Sequence, residues 1–262
     1  VELFELNSKN YFKLEESIKN SDVVVNLIGI LYENRKQKFD KIHVDIPELV
    51  SNMCKKYGVK KFIHVSAIGA NPESKSRYQQ SKFRGEQVAL SNFDQTIIIR
   101  PSVVCGAEDN FTNLFSKLSF SPIIPLVGIN YKFQPIMVTD VADAIMKSIL
   151  SKNNAGKIYE IGGPKIISFG DMVKSIMKTI GKKRMVIEMP MPIAKIQSSL
   201  LSLLPMAPIL TRDQCEILSE SDNVVSGNHS SLKDLGIEPT DVEKAMKKWL
   251  WRFREGGQFA KI

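Results

Sequence analysis

Three short apolar runs alternate along the chain with longer stretches that carry apolar residues at helical spacing. The runs are almost continuous and rich in β-branched residues, which is typical of strands buried on both faces of a parallel sheet. They lie at residues 22–29, 60–66 and 94–102, and the helical stretches lie at residues 39–59 and 76–91. Strands separated by helices of this length predict right-handed βαβ units, and therefore an α/β fold with a Rossmann-like doubly wound parallel sheet.

The same alternation continues in the second half of the chain. Residues 133–152 predict a strand that runs into a helix capped by Thr139 or Asp140, and residues 156–164 predict a further strand. The pattern therefore extends the sheet beyond its first three strands.

Two capping-box patterns predict where later helices begin. They are Ser168 with Asp171 and Thr240 with Glu243. We expect a Rossmann-like domain over residues 1–164 and a smaller C-terminal α/β lobe over residues 165–262, with segments of the two interleaved.

Composition narrows the class of protein. The 262 residues are 43% hydrophobic and 24% charged, with no apolar run long enough to span a bilayer and no secretory leader, so a cytoplasmic globular protein is expected. The three cysteines are far apart, which argues against a zinc site or a disulfide framework. The net charge of +8 is spread along the chain without a nucleic-acid-binding motif, so no nucleic-acid partner is expected.

The histidines do not cluster in sequence, so no metal site is predicted. They are His43, His64 and His229. Because His64 lies in an apolar run, we interpret it as a core histidine with its hydrogen bonds satisfied.

Polar and small residues follow the three apolar runs at their carboxyl ends, where a Rossmann-class sheet binds its ligands. We therefore predict cofactor contacts from these end residues. They are Asn26, Leu27 and Gly29 after the first run, Val65 and Ser66 after the second, and Pro101, Ser102 and Val103 after the third.

Tyr78 and Lys82 follow the second of these ends, four residues apart. On a helix that spacing places two side chains on one face, about 5–6 Å apart. A neighbouring cation would lower the pKa of the phenol, as a proton-transferring tyrosine requires. The alternative is that Tyr78 and Lys82 have no catalytic role, because the composition of this stretch is that of an ordinary solvent-exposed helix.

Four motifs resemble the short-chain dehydrogenase/reductase superfamily in its extended and atypical branches, which include NAD-dependent epimerases and dehydratases. They are VNLIG, FIHVSAIGA, YQQSK and IIRPSVVCG. The resemblance implies that Tyr78 and Lys82 hydrogen-bond the nicotinamide ribose of NADP(H) or NAD(H), and that Tyr78 is the catalytic acid or base. Active members carry Ser or Thr where this chain has Ala67, which has no polar atom. Ser66 is the candidate to replace that hydroxyl as a catalytic residue, although adjacent side chains on a strand point to opposite faces.

Longer segments resemble bacterial relatives of the dehydrogenase-like accessory subunit of respiratory complex I (NADH:ubiquinone oxidoreductase). They lie at residues 76–87, 100–113, 211–227 and 235–260. The resemblance implies a structural or assembly role with bound NADP(H) and little turnover. It also implies complex I subunits or a membrane surface as partners, at the inner face of the inner membrane. Two alternatives stay open: an active NAD(P)-dependent reductase or epimerase on a small or quinone-like substrate, and a remnant that binds nothing.

The start of the chain departs from a complete Rossmann domain. The sequence has no G-x-x-G-x-x-G turn, and residues 1–25 fit the third strand, its helix and the fourth strand of the order 3-2-1-4-5-6. We therefore expect that the N-terminal glycine-rich βαβ portion is missing from the chain. The run at 22–29 would then be a bare sheet edge, and the isolated chain would aggregate. The residues that choose between NAD and NADP would lie in the missing portion.

Residues 189–210 form a sparsely charged stretch with one lysine, Lys195, and four prolines. The prolines interrupt it too often for a membrane span. We interpret it first as core of the smaller lobe. The alternative is a docking helix for a membrane surface or a subunit, with Leu200 and Leu203 as contact positions.

Overall fold

The computed structural model of the protein describes residues 11–201 and 208–257. Within these ranges the strands are β1 (Val23–Asn26), β2 (Lys61–Val65), β3 (Thr96–Pro101), β4 (Val104–Cys105), β5 (Ile123–Leu126), β6 (Lys132–Phe133), β7 (Ile136–Met137), β8 (Ile158–Ile161), β9 (Ile167–Ser168) and β10 (Met185–Glu188). The helices are α1 (Tyr11–Lys19), α2 (Ile46–Tyr57), α3 (Arg77–Asn92), α4 (Asn110–Leu118), α5 (Val138–Leu150), α6 (Phe169–Thr179), α7 (Met191–Leu201), α8 (Arg212–Ser219), α9 (Val242–Ala245) and α10 (Lys247–Leu250). The strand expected within residues 1–10 lies outside the described residues, as do Leu203 and the side chain of Leu200.

The main sheet confirms the predicted α/β class. Its strands lie in the order β1-β2-β3-β8, and every neighbouring pair is parallel. Phe62 of β2 packs in a cluster with residues of α1, α2 and α3, whereas its neighbour Ile63 packs with residues of α5. Because alternate strand residues face opposite sides, helices cover both faces of the sheet. All six residues of β3 are buried, as the apolar run predicts.

Strand β1 lies at an edge of this sheet, and within the described ranges it pairs with β2 alone. Apolar side chains are exposed at and just after this strand: Val25 by 37%, Leu27 by 66% and Ile28 by 41%. An unpaired strand with apolar side chains is a template for pairing with another strand. The expectation of a bare edge is therefore confirmed for the described part of the chain.

Outside the main sheet, the described residues form three two-stranded sheets, which make up a second part of the structure. Strand β5 pairs with β10 and β4 with β7, both in parallel, and β6 pairs with β9 in antiparallel. The largest core cluster lies here, with Met172 and Ile176 of α6 fully buried. Because β5 and β10 lie on either side of β8 in the chain, this part is interleaved in sequence with the main sheet.

Two of the predicted helix starts are wrong. The N-cap of α5 is Met137, without a side-chain hydrogen bond, so neither Thr139 nor Asp140 caps that helix. Asp140 instead accepts hydrogen bonds from the backbone N–H (2.7 Å) and Oγ1 (2.9 Å) of Thr240. Thr240 is thereby taken from its predicted capping role, and Asp241 caps α9. A contact between residues 100 positions apart decides both caps.

The other predicted helix ends agree with the structure. Ser168 caps α6 by accepting a hydrogen bond from the backbone N–H of Asp171. Helix α2 ends at Gly58, whose φ of 66° is left-handed and favours glycine. The stretch before α2 forms a π-helical turn at Lys41–Asp45 rather than regular α-helix.

The sparsely charged stretch is amphipathic in its described part. In α7, Ala194 and Ser198 are buried, while Ile193 is 56% and Ile196 is 64% exposed. Ala194 packs in a cluster with Cys215 of α8, so one face of α7 is core. No helix of residues 11–201 and 208–257 is long and apolar enough to cross a membrane.

Candidate functional site

Lys82 is buried at the carboxyl end of the main sheet. Its side chain is 4% exposed, and its Nζ donates a hydrogen bond of 2.9 Å to the backbone oxygen of Val65. No carboxylate of the described chain lies within ion-pair distance of Nζ, so the ammonium keeps two of its three donors unpaired there. Burial lowers the pKa of Lys82 to about 8, against the opposing charge of Glu86. Unpaired buried donors of this kind need acceptors from water or from a ligand with oxygen atoms.

Gly29 follows β1 and leaves open space beside the ammonium. A Cβ atom added to this glycine would lie 3.8 Å from Lys82 Nζ and 3.7 Å from His43 Nε2. These are ordinary contact distances, so the space is large enough for one carbon atom and would be lost to a larger side chain. The predicted residues Gly29, Val65 and Lys82 are therefore brought together.

Tyr78 lies one turn before Lys82 on α3, half-buried among aromatic rings. Its ring meets those of Phe39 and His43 edge-on, at centroid distances of 5.8 and 5.5 Å. Burial and the nearby Asp213 carboxylate raise the pKa of Tyr78 to about 12. The predicted lowering by Lys82 is therefore wrong, because both effects disfavour the phenolate.

His43 is a site residue that the sequence reasoning missed. Its Nε2 accepts a hydrogen bond of 3.0 Å from the backbone N–H of Ile30, and its Nδ1 lies 2.8 Å from Ser81 Oγ. Burial and the charge of Lys82 lower the pKa of His43 to about 3, so the imidazole is neutral. Because Nε2 accepts, the proton lies on Nδ1. The helical spacing of Phe39, His43 and Val50 was the signal that this histidine faces the protein interior.

Helix α3 approaches the π-helical turn closely. A Cβ atom at Gly85 would lie 1.8 Å from the backbone oxygen of His43, which only glycine permits. This close approach holds the helix that carries Tyr78 and Lys82 against the turn that carries His43.

Two buried polar atoms near the carboxyl end of β2 have no hydrogen-bond partner among the described residues. They are Nε2 of His64 and Oγ of Ser66. Nδ1 of His64 lies 3.1 Å from Asn26 Nδ2, so this histidine is only half satisfied and the expectation for it is wrong. The Asn26 amide is occupied by His64 and by the backbone N–H of Ile28. Ser66 Oγ, in contrast, is buried with its hydrogen-bonding capacity unused among the described residues.

The predicted residues after β3 make contacts within the protein. Ser102 Oγ donates to Asn223 Oδ1 at 2.6 Å and accepts from the backbone N–H of Gln134 at 3.2 Å. The backbone oxygens of Pro101 and Val103 accept from the N–H groups of Ile68 and Ile136, respectively. These residues tie the sheet to later segments, and the structure gives their polar atoms no contact with Lys82. Leu27, after β1, projects into solvent.

A buried ion pair network fixes α3 to the sheet one turn after Lys82. Arg100 of β3 binds both carboxylate oxygens of Glu86 and lies 3.2 Å from Glu160 of β8. Because Glu86 is committed to Arg100, its carboxylate does not reach the ammonium of Lys82. Within the described residues, no group of acidic, histidine or cysteine side chains could hold a metal ion.

A family model and two related proteins match most of the length of this chain. The family model for the RmlD substrate binding domain matches residues 31–254. The NADH-ubiquinone oxidoreductase 40 kDa subunit of Neurospora crassa is 32% identical over 259 residues, which are 99% of this chain and 68% of that protein. The NADH dehydrogenase (ubiquinone) 1 alpha subcomplex subunit 9 of Mus musculus is 32% identical over 95% of this chain and 67% of its own length. The chain thus spans about two thirds of these relatives.

Solved structures share the fold at low sequence identity. One is dTDP-4-dehydrorhamnose reductase from Bacillus anthracis in complex with NADP, with a TM-score of 0.64 and 16% identity over 93% of this chain and 84% of that one. Another is UDP-glucuronic acid 4-epimerase from Bacillus cereus with UDP-glucuronic acid and NAD, with a TM-score of 0.59 and 18% identity over 90% of this chain and 77% of that one. These similarities confirm the Rossmann-like fold of the chain.

Proposed function

Because the chain belongs to the RmlD substrate binding domain family and to the family of the NADH-ubiquinone oxidoreductase 40 kDa and alpha subcomplex 9 subunits, we propose that it binds NADP(H) or NAD(H) at Lys82 and turns it over little. In this proposal it serves complex I as a structural or assembly component. The observation that carries the proposal is the buried Lys82 ammonium, which makes one hydrogen bond and keeps two donors unpaired among the described residues.

The residues around Lys82 suit the nicotinamide ribose of such a cofactor. Ribose hydroxyls are acceptors for the free donors of Lys82, and the Tyr78 hydroxyl is a further donor one turn away on the same helix. Gly29 leaves room beside the ammonium, and Ser66 Oγ is a buried hydroxyl without a partner in the described chain. When bound, the cofactor would supply hydride chemistry.

Two features support little turnover. Ala67 offers no hydrogen bond to a substrate oxygen, and losing one such donor typically costs about 10²- to 10³-fold in rate. The pKa of Tyr78, raised to about 12, keeps the phenol protonated and makes its phenolate scarce at neutral pH. The residues thus favour holding a cofactor over reacting with it.

Binding is tested by titrating the full-length gene product with NADPH and with NADH. Lys82→Ala should weaken binding by roughly 1.5–3 kcal/mol, the value of hydrogen bonds to a charged group. Lys147→Ala is the matched control, because Lys147 is an exposed lysine on α5. Equal affinity of wild type and Lys82→Ala would return Tyr78 and Lys82 to a purely structural role.

The partner half of the proposal rests on α7. Its exposed residues Ile193 and Ile196 form an apolar face that a subunit or membrane surface would cover. Fractionation of cell lysate should find the protein with membranes or with complex I, and Ile196→Glu should release it without loss of cofactor binding. Leu150→Glu is the control, since Leu150 is 72% exposed on another helix. A soluble protein free of other subunits would contradict this half.

The second candidate is an active reductase or epimerase. The free hydroxyl of Ser66 and the Tyr78–Lys82 pair favour it. Steady oxidation of NADPH with a small carbonyl or quinone substrate would establish this candidate and exclude the structural reading.

A further inference from the structure

Helix α8 presents a carboxylate to the first turn of α3. Asp213 Oδ1 accepts a hydrogen bond of 2.7 Å from the backbone N–H of Arg77. Its Oδ2 accepts from Ser76 Oγ at 2.7 Å and from the backbone N–H of Tyr78 at 3.3 Å. Asp213 therefore serves the backbone of Tyr78 itself, from a position 135 residues later in the chain.

A second carboxylate, that of Glu220 at the other end of α8, accepts hydrogen bonds from the residues just before α3. Glu220 Oε1 accepts from the backbone N–H of Lys75 at 2.6 Å, and its Oε2 lies 2.5 Å from Ser74 Oγ. Ser74 is 4% exposed, whereas Glu220 is exposed, so this contact is partly buried. Asp213 and Glu220 thus clamp the segment from Ser74 to Tyr78 between the two ends of one helix.

The chemistry of a helix N-terminus explains why this clamp orients α3. The first N–H groups of a helix have no partner within the helix, and the helix dipole favours an anion there. The helix supplies one acceptor of its own, because Ser76 Oγ accepts from the backbone N–H of Gln79 at 3.3 Å. The N–H groups of Arg77 and Tyr78 are left to Asp213.

We propose that Asp213 and Glu220 are positioning residues for the cofactor site, which hold the first turn of α3 so that Tyr78 and Lys82 face the nicotinamide ribose together. This inference rests on the proposed cofactor binding at Lys82. Cofactor affinity would then depend on α8, a helix from the C-terminal part of the chain whose hydrogen bonds to α3 go to its first turn and not to Lys82.

The same helix supplies a matched control. Glu216 lies on α8 between the two clamping residues, and its carboxylate pairs with Lys195 of α7 at 2.9 Å instead of with α3. Glu216→Gln therefore removes a carboxylate from α8 without touching the α3 segment.

The experiment compares Asp213→Asn, Glu220→Gln and Glu216→Gln in the full-length protein. NADPH affinity and the emission of bound NADPH at saturation are measured, together with hydrogen exchange over residues 74–80. We expect Asp213→Asn to weaken binding about three- to tenfold, to shift the emission of the bound nicotinamide and to speed exchange in the first turn of α3. Glu220→Gln should act in the same direction, and Glu216→Gln should change none of the three.

The outcomes separate this inference from the proposed function. If wild type binds NADPH and Lys82→Ala weakens binding, while Asp213→Asn and Glu220→Gln leave affinity and emission unchanged, the positioning role is wrong and the proposed function stands. If Asp213→Asn alone fails to fold, Glu220→Gln decides by the same readouts. If wild type binds neither NADPH nor NADH, the proposed function fails and the positioning role fails with it.

Discussion

Glu86 and Arg100 form a two-point ion pair in the interior of the protein. Arg100 Nε lies 2.9 Å from one oxygen of Glu86, and a terminal nitrogen lies 2.6 Å from the other. The side chain of Glu86 is fully buried and that of Arg100 is 8% exposed. Since Glu86 is one turn from Lys82 on α3, this pair fixes the helix that carries the candidate site.

Glu86→Gln should lower the free energy of unfolding by about 3 kcal/mol, because it leaves the Arg100 guanidinium buried with one carboxylate fewer. Urea denaturation measures the change. Glu16→Gln is the control, because Glu16 is exposed on α1, and its free energy of unfolding should stay within about 0.5 kcal/mol of the wild-type value. A Glu86 variant as stable as the Glu16 variant would mean that the buried pair contributes little.

Gly29→Ala should weaken cofactor binding by roughly tenfold, because the added methyl group takes the space beside the Lys82 ammonium. The free protein should keep nearly its wild-type melting temperature, since a Cβ atom at Gly29 meets its neighbours at ordinary contact distances. Calorimetric titration and thermal melting separate the two effects. Unchanged affinity would place the cofactor away from Gly29.

Acid should destabilise the protein partly through His43. Its pKa is about 3 in the folded protein and near 6.5 when unfolded, so the unfolded chain binds an extra proton between these values. Stability from this group is complete above pH 6.5 and is lost as the pH falls towards 3.

The test is the dependence of unfolding free energy on pH between 4.5 and 7, written as a slope. In His43→Gln the slope should fall by up to about 1.4 kcal/mol per pH unit, the value of one proton. It should not reach zero, because the pKa of His64 is also lowered by burial and acts with the same sign. Equal slopes in variant and wild type would contradict a neutral, buried His43.

Ala67→Ser should raise NADPH oxidation by about tenfold or more, because it restores a donor where a substrate oxygen would develop charge. Absorbance of NADPH with a set of quinones and small ketones measures the rate. Ala67→Gly is the control, since it changes the side chain without adding a donor. Rapid turnover by wild type would show that the missing hydroxyl is not limiting.

The sequence by itself determined the strands and helices of the main sheet and their order along the chain. Short, almost continuous apolar runs rich in β-branched residues are typical of buried strands. Gly58 and Ser168 mark a helix end and a helix start by local backbone chemistry. The choice of Lys82 as a candidate also came from sequence, through its helical spacing from Tyr78, its place after a strand and the resemblance of YQQSK to the short-chain dehydrogenase/reductase superfamily.

Only the tertiary structure decided the environment of α3. Its polar composition is that of an exposed helix, yet Lys82 and Glu86 are buried, because Arg100 neutralises Glu86 and the sheet covers Lys82. The raised pKa of Tyr78, the neutral state of His43 and the transfer of Thr240 from its capping role to Asp140 have the same origin. Desolvation and hydrogen bonding depend on which distant residues come into contact, whereas the spacing of residues along the chain reports only on near neighbours.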